Sequence, residues 1–446
     1  MVIGFLATVL SVTVAVHVYL WHRLVRSTTR PGGRPRRVLT AVLAVLGVLV
    51  VVTFAGSRVE AGFWLAWPGY MWLAVMFYLL VFLVLLEVPR AVAWRLLRRS
   101  APAPEAVPAA VPVGSATGGD AGDLAVGDSA VGDSAVGGSV AGGGGAGAAG
   151  GLVGDPAAGA GSPGVGGDVM SRRLFLGRAT AAVAGVSALG TVGYGVRTAL
   201  GDPVVEPVRI TLPKLDPRMN GLRVAVVSDI HLGPLTGTAH AERIVRMINA
   251  QRPDVVTIVG DLVDGTVAEL GRQARPLGEL EARYGSYFVT GNHEYYTANG
   301  PQEWIEELRE LGIRSLRNER VEIRHQGGVL DLAGVDDVSG ATLDDGPDLG
   351  RALAGRDAGR ATVLLAHQPV LAAEAARHGV DLQLSGHTHG GQMVPFNLVV
   401  PIQQPVVAGL GTVDGMQVYV TRGAGFWGPP VRVGAPPEIT MVELHA

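Results

Sequence analysis

Three stretches in the second half of the chain decide the fold: RVAVVSDIH at Arg223–His231, VVTIVGDLVD at Val255–Asp264 and SYFVTGNHE at Ser286–Glu294. Each begins with a short apolar run rich in β-branched residues, which is typical of a buried strand, and each ends in a polar cluster. TVLLAH at Thr362–His367 and LQLSGHTH at Leu382–His389 repeat the arrangement. Helical patterns lie between these strands, so residues 205–446 are predicted to form a layered α/β domain.

The polar clusters point to chemistry because all five follow the carboxyl end of a strand, where open α/β sheets place their ligands. The chain has no cysteine, which excludes thiolate nucleophiles and thiolate metal sites. Carboxylate, imidazole and amide donors remain, and they suit a borderline or hard divalent cation. Seven donors exceed what one ion with an open position needs, so they favour two ions that share a carboxylate. They are Asp229, His231, Asp261, Asn292, His367, His387 and His389.

The order Asp-x-His, Gly-Asp-x-x-Asp, Gly-Asn-His-Glu, His and Gly-His-x-His resembles the calcineurin-like binuclear metallophosphoesterases over about residues 205–446. The resemblance implies a four-layer α/β/β/α sandwich that hydrolyses a phosphodiester or phosphomonoester through a hydroxide bridging two metal ions, which would be Mn, Fe or Zn. The implied ligand sets share one carboxylate. They are Asp229, His231, Asp261 and His389 for one ion, and Asp261, Asn292, His367 and His387 for the other.

Other polar residues near the motifs have predicted roles beside the metals. His293 follows a ligand without being one in the family pattern, so we expect it to protonate the leaving oxygen. Asp264 is expected to orient a histidine, with a turn-capping role as the alternative. Arg422 is a candidate contact to substrate phosphate, with a surface role as the alternative. We expect Glu294 to lie outside the set of ligands.

The first hundred residues predict a membrane region. Three apolar runs, at Ile3–Leu20, Val38–Gly56 and Gly69–Val88, are each about as long as a membrane-crossing helix. This region holds eleven arginines against two acidic residues, and most of the arginines lie between the first two runs or after the third. The positive-inside rule therefore predicts that Ser100 is cytoplasmic. This charge division indicates membrane topology, and we expect no nucleic-acid scaffold as a partner.

Residues 101–170 and 171–200 connect the two halves. The first segment is rich in Gly, Ala and Asp and is predicted to be a disordered linker. In the second, SRRLFLG at Ser171–Gly177 resembles the twin-arginine export signal except at Gly177, where that signal has lysine. The alternative is an ordinary fourth transmembrane helix. Both interpretations predict a multi-pass protein of the cell membrane whose 205–446 domain is extracytoplasmic.

Two alternatives stay open on function. The substrate is either a lipid-linked phosphate at the bilayer or a soluble nucleotide or sugar phosphate. The resemblance extends to membrane-tethered or twin-arginine-exported bacterial phosphodiesterases, on Ser228–His231, Gly386–Gln392 and Pro436–Thr440. The other class of function is a membrane-anchored metal-binding sensor with the same fold and no turnover. The complete ligand set together with His293 favours the enzyme.

Overall fold

The computed structural model describes residues 2–56, 63–99, 172–297 and 300–446, so the predicted linker at 101–170 lies outside the described residues. The amino-terminal part is helical. A π-helical turn at Trp21–Arg26 follows the first helix. The helices are α1 (Val2–Leu20), α2 (Arg34–Gly56), α3 (Phe63–Leu85), α4 (Glu87–Arg99) and α5 (Arg172–Leu200).

Within the described residues, three helices are long and apolar enough to cross a membrane. The apolar segments are Arg34–Phe54 in α2, Trp64–Leu85 in α3 and Leu174–Leu200 in α5. They coincide with the second, third and fourth predicted spans, and the first predicted span forms α1. The prediction of amino-terminal apolar helices that could cross a membrane is therefore confirmed.

Helix α5 packs closely against its neighbours at several levels. Ala184 and Ala188 are fully buried in one apolar cluster with Tyr78 of α3, as expected where small residues let two helices approach. Near its end, Gly195 accepts a 3.0 Å hydrogen bond from the backbone N–H of Arg432. The carboxyl-terminal part of α5 is therefore in direct contact with the α/β domain.

The first of two six-stranded sheets is mostly parallel. Its strand order is β1-β12-β2-β3-β4-β5, and only the β12–β2 pair is antiparallel. Helices α6, α7 and α8 lie on its outer face, where fully buried Trp304 belongs to the shared core. The elements are β1 (Val204–Thr211), β2 (Leu222–Val227), α6 (Thr238–Ala250), β3 (Val255–Val259), α7 (Val267–Ala274), β4 (Ser286–Val289), α8 (Gln302–Glu310), β5 (Ile313–Ser315) and β12 (Glu438–His445).

The second sheet has the order β10-β11-β9-β8-β7-β6, with parallel pairing among β11, β9, β8 and β7 and antiparallel pairs at both edges. Two short helices cover its outer face. The elements are β6 (Glu319–His325), β7 (Gly328–Gly334), α9 (Leu349–Ala352), β8 (Thr362–Leu365), α10 (Ala372–Arg377), β9 (Leu382–Ser385), β10 (Gly409–Val413) and β11 (Met416–Val420).

The two sheets pack face to face. Alternation along each strand sends one set of apolar side chains to the centre and the other set to the helices. In β2, for example, Val224 and Val226 enter the core shared with the second sheet, whereas Ala225 and Val227 pack beneath α6. The order of layers is helix, sheet, sheet, helix, which confirms the predicted α/β/β/α sandwich.

Candidate metal centre

The five predicted strand ends converge on one place between the two sheets. Five of the seven predicted ligands leave their strands with backbone φ angles of 47° to 71°, in the left-handed region that residues other than glycine rarely adopt. Holding one residue in this conformation costs roughly 1–3 kcal/mol of folding free energy, and only contacts in the surrounding fold can offset that cost. The sharp turn directs each side chain back over its strand end. These residues are Asp229, His231, Asp261, His387 and His389.

Glu294 accepts hydrogen bonds from the backbone at two of the five strand ends. Its buried carboxylate accepts hydrogen bonds from the backbone N–H groups of Asp261 at 3.1 Å, Leu262 at 2.8 Å and Gly291 at 2.6 Å. Burial, followed by the negative charge of Asp261, raises the pKa of Glu294 to about 7. All three bonds come from backbone N–H groups, so the carboxylate of Glu294 fixes the backbone around the donors.

Glycines allow the strand ends to touch. A Cβ on Gly291 would lie 2.2 Å from Oδ1 of Asp261, and one on Gly386 would lie 2.0 Å from Oγ of Ser228 and 2.4 Å from Oδ2 of Asp229. These distances are far below van der Waals contact. Neighbouring chain segments approach each other so closely here that only glycine fits at the first position of the Gly-Asn-His-Glu and Gly-His-x-His motifs.

One group of donors contains Asp229, His231 and His389, with one potential ligand atom from each lying within 4.8 Å of the others. The two Nε2 atoms of the histidines are 3.1 Å apart, and Nε2 of His389 is 3.3 Å from Oδ1 of Asp229. Burial, followed by the nearby Arg432 cation, holds the pKa of His389 well below its usual range. The ring is therefore neutral, as a metal ligand must be.

The second group contains Asp261, His367 and His387, and the amide oxygen of Asn292 lies beside it. Oδ1 of Asn292 is 3.2 Å from Nε2 of His367 and 2.9 Å from Nδ1 of His387. Nδ1 of His367 donates to the carbonyl oxygen of Val259 at 2.8 Å. That bond occupies Nδ1 and leaves Nε2 of His367 as the nitrogen that points towards Oδ2 of Asp261 at 3.2 Å.

Asp261 lies between the two groups. Its Oδ2 is 3.2 Å from Nε2 of His367 and 3.9 Å from Nε2 of His231. It also belongs to a third group of donors with His231 and His293. The structure therefore brings all seven predicted ligands together, with the predicted shared carboxylate in the middle. The chemistry of the donors, three carboxylate or amide side chains and four imidazoles, fits two divalent cations of the Mn, Fe or Zn type.

His293 lies at the edge of the donors, where its two ring nitrogens face different carboxylates. Nδ1 is 2.6 Å from Oδ1 of Asp264, and Nε2 is 4.0 Å from Oδ2 of Asp261. Burial disfavours the imidazolium, but the charges of Asp261 and Asp264 outweigh it and raise the pKa of His293 to about 9. The chain's own charges therefore keep a proton on each nitrogen near neutral pH.

Asp264 contacts two histidines with one oxygen. Besides His293, its Oδ1 lies 2.9 Å from Nδ1 of His231. Burial opposes ionisation of this carboxyl group, but the adjacent His231 and His293 hold its pKa well below the usual range. Accepting from Nδ1 of His231 leaves the lone pair of that ring on Nε2, towards the other donors. This is the geometry predicted for a residue that orients histidines.

Two arginines lie near the site. The guanidinium of Arg422, a predicted contact to substrate phosphate, pairs with two carboxylates: its Nε is 2.9 Å from Glu438 and its Nη2 is 3.4 Å from Glu206. Arg432, which sequence reasoning missed, is fully buried and donates from Nη2 to Nδ1 of His389 at 3.0 Å. The only feature of the sequence that marks Arg432 is a charged residue between two valines, in PVRVG.

A cavity of about 360 Å³ opens beside these side chains. On one side it is lined by His231, Asp264 and His293, and on another by residues of the helical region. The indole of Trp427, half exposed, stands 6.2 Å from the His293 ring. The cavity therefore joins the donors to the helices. The helical residues that line it are Phe54 of α2 and Tyr70 of α3.

The α/β domain is similar in sequence to a family of known proteins. Residues 222–391 match the family described as calcineurin-like phosphoesterase. A Danio rerio protein named "Transmembrane protein with metallophosphoesterase domain" is 42% identical over 260 residues, which are 56% of this chain and 59% of that protein. The match to its Bos taurus counterpart covers 64% of that protein. This chain thus spans about six tenths of the length of these two relatives.

A shorter bacterial relative is covered almost completely. An Aquifex aeolicus protein named "Uncharacterized metallophosphoesterase" is 35% identical over 244 residues, which are 54% of this chain and 91% of that protein. Among solved structures, a dimetal phosphatase from Danio rerio aligns with a TM-score of 0.34 and 12% identity, over 51% of this chain and 93% of that one. The sequence matches, together with the donors gathered at the strand ends, establish that the chain belongs to the calcineurin-like phosphoesterase family.

Proposed function

We propose that the protein is a metal-dependent phosphoesterase that cleaves a phosphodiester. The observation that carries the proposal is the pair of donor groups that share Asp261, with His293 held beside them at the wall of a cavity. Asp229, His231, Asp261 and His389 would hold one cation, and Asp261, Asn292, His367 and His387 the other. Two bound divalent cations would supply a water of lowered pKa and neutralise charge on the phosphoryl oxygens.

The chain's own residues supply the proton for the leaving group. With a pKa of about 9, His293 is an imidazolium near neutral pH. Its Nδ1 proton is held by Asp264 at 2.6 Å, so the proton on Nε2 is the one that faces the donors. We assign to Nε2 the protonation of the leaving oxygen, and to Asp264 the orientation of the ring.

We further propose that the substrate is held at the surface of the bilayer, with a lipid-linked phosphate as the favoured class. Phe54 and Tyr70 lie in the apolar segments of α2 and α3, and both line the cavity that contains His293. Trp427 adds an exposed indole, a side chain suited to a membrane interface. A phosphate reaching His293 through this cavity would pass beside the ends of two candidate membrane spans.

The proposed location is the outer face of the cytoplasmic membrane. Its support is the arginine distribution of the first hundred residues and the twin-arginine-like segment at the start of α5. Helix α5 continues unbroken from Arg172 to Leu200 and packs with α3, which favours a retained anchor over a leader that is removed. A reporter fused after residue 446 should be active outside the cytoplasm; activity only inside would overturn this orientation.

The function is tested with the full-length protein in detergent, by metal analysis combined with hydrolysis of a bis-aryl phosphodiester. We expect about two metal ions per chain and turnover that chelation abolishes and Mn restores. Bound metals without turnover on any ester would favour the metal-binding sensor. A comparison of lipid-linked with soluble phosphodiesters at equal concentration then tests the substrate class. Faster cleavage of the soluble esters would contradict the bilayer proposal.

A further inference from the structure

The helical region has its own cavity, separate from the metal centre. It has a volume of about 830 Å³ and lies between the π-helical turn, α4 and the start of α5. Arg23, Arg26, Arg90 and Arg95 all line it, and no acidic residue of the described part of the chain does. A concentration of positive charge in one pocket of this size requires an anion or a cluster of counter-ions to balance it. We call this pocket the arginine cavity.

Within the described residues, one carboxylate lies close to these arginines. Glu87 contacts Arg23 at 2.5 Å and Arg90 at 2.8 Å, and it also accepts from the Tyr19 hydroxyl at 2.9 Å. The guanidinium of Arg26 lies 3.4 Å from Nδ1 of His22, and no carboxylate among the described residues pairs with it. Glu87 thus fixes two arginines in place, and the charge of the others is left for a ligand.

The walls of the arginine cavity are apolar on the side of the helices. Ala15 and Val18 of α1 and Leu176 of α5 line it together with the ring of Trp94. Val18 is about half exposed. The lining of the cavity therefore combines cationic groups with hydrocarbon side chains. This combination matches a phosphate attached to acyl chains better than a free phosphate.

Helix α4 has the composition of a helix that lies in a membrane surface. Val88, Val92 and Leu96 are spaced four residues apart and are 71%, 49% and 58% exposed, so they form an apolar stripe along one side. Arginines occupy other positions of the same helix. An amphipathic helix of this kind lies at the boundary between headgroups and acyl chains. That places the arginine cavity at the depth of the lipid phosphates.

From the charge, the apolar walls and this depth, we propose that the arginine cavity binds the headgroup of an anionic phospholipid, with Arg26 and Arg95 as its main contacts. The site lies at the end of the helices that carries the arginine-rich segments, away from the cavity at His293. The bound lipid would join the π-helical turn, α4 and α5 into one unit. This proposal is independent of the reaction at the metal centre.

The test uses the delipidated full-length protein in an uncharged detergent, with binding of phosphatidylglycerol measured by native mass spectrometry. Phosphatidylcholine with the same acyl chains and free glycerol phosphate are the comparison ligands. We expect phosphatidylglycerol to bind at least about tenfold more tightly than either. Equal binding of phosphatidylcholine would overturn the proposal, and equal binding of glycerol phosphate would overturn the assignment to a lipid.

Two variants test the arginine cavity in different ways, one by removing positive charge and the other by filling the space. R26Q combined with R95Q removes two charges, and each arginine at a membrane surface accounts for roughly a fivefold change in affinity, so a loss of about twentyfold is expected. Ala15→Trp leaves the charges in place and fills the exposed wall, and it should also displace the lipid. Unchanged binding in either variant would refute the site. Thermal unfolding of each variant, compared with that of the native protein, reports whether the variant is folded.

The matched control is R34Q combined with R37Q. Both residues are exposed at the start of α2, belong to the same arginine-rich segment and lie outside the lining of the arginine cavity. The control removes the same charge from the same end of the helices. Retained phosphatidylglycerol binding is the expected result. A loss equal to that of the R26Q and R95Q variant would show that only general charge attracts the lipid, and would refute a specific cavity.

Discussion

The two sheets contribute different chemistry to the metal centre. Strand ends of the first sheet supply all the oxygen donors together with the proton-bearing His293, whereas strand ends of the second supply imidazoles only. Each sheet alone presents an incomplete set, and the donors meet only because the sheets pack face to face. In the proposed mechanism, the first sheet would therefore supply charge balance and proton transfer, and the second would complete the ligand sets. The imidazoles of the second sheet are His367, His387 and His389.

The largest effect is expected from Asp261→Ala, because this residue joins the donor groups of both sheets. Removing the carboxylate leaves the surrounding histidines without their shared anion. Turnover should fall by roughly four orders of magnitude, as when a catalytic unit is dismantled, and metal content should fall with it. Metal analysis and phosphodiester hydrolysis on the same preparation measure both. Full metal content with normal turnover would refute the shared role.

His293→Ala separates proton transfer from metal binding within the first sheet. The variant loses the imidazolium at the cavity wall but keeps all seven predicted ligands. We expect turnover to fall by roughly 10²- to 10⁴-fold while metal content stays unchanged. His378→Ala, at the end of α10 and outside the donor groups, is the control and should behave like the native protein. Loss of metal from His293→Ala would show that this residue is a ligand.

Asp264→Asn tests how the first sheet sets the protonation of His293. In the native protein the pKa of His293 is raised to about 9, so the protonated form, and turnover that requires it, is lost only as pH rises through that value. Removing the charge of Asp264 lowers this pKa, and the alkaline decline should begin at lower pH. We expect turnover near neutral pH to fall by about 10- to 100-fold. A pH–rate profile with an unmoved alkaline limb would contradict the assignment.

Gly386→Ala tests the contact between the sheets. The new Cβ would lie 2.4 Å from Oδ2 of Asp229, on the other sheet, so the Gly-His-x-His turn must shift. Overpacking of this kind lowers the free energy of unfolding by about 1–3 kcal/mol, and turnover should fall with the displaced ligands. Thermal unfolding gives the first quantity. Gly278→Ala, where a Cβ would meet only ordinary van der Waals contacts at 3.4 Å or more, is the control and should lower neither.

The apolar strands and the polar clusters after them made a layered α/β domain and its donor residues predictable, because both follow local rules that one sequence displays. The four-layer sandwich was implied by the resemblance to the calcineurin-like family. Asp264 was also expected to orient a histidine, but its contact with both His231 and His293 was not. Arg432 was missed because a single arginine in a loop has no periodic signal. Its contact with His389 depends on a chain segment some forty residues away.

Which residues can bind a cation, and which segments are apolar enough to cross a membrane, follows from the chemistry and spacing of neighbouring residues and can be read from the chain alone. The folded arrangement was needed to learn which donors share Asp261, which nitrogen of each histidine faces inward, and that Phe54 and Tyr70 reach the cavity of His293. Those facts depend on contacts between segments far apart in the chain. Packing creates such contacts, and local sequence carries no record of them.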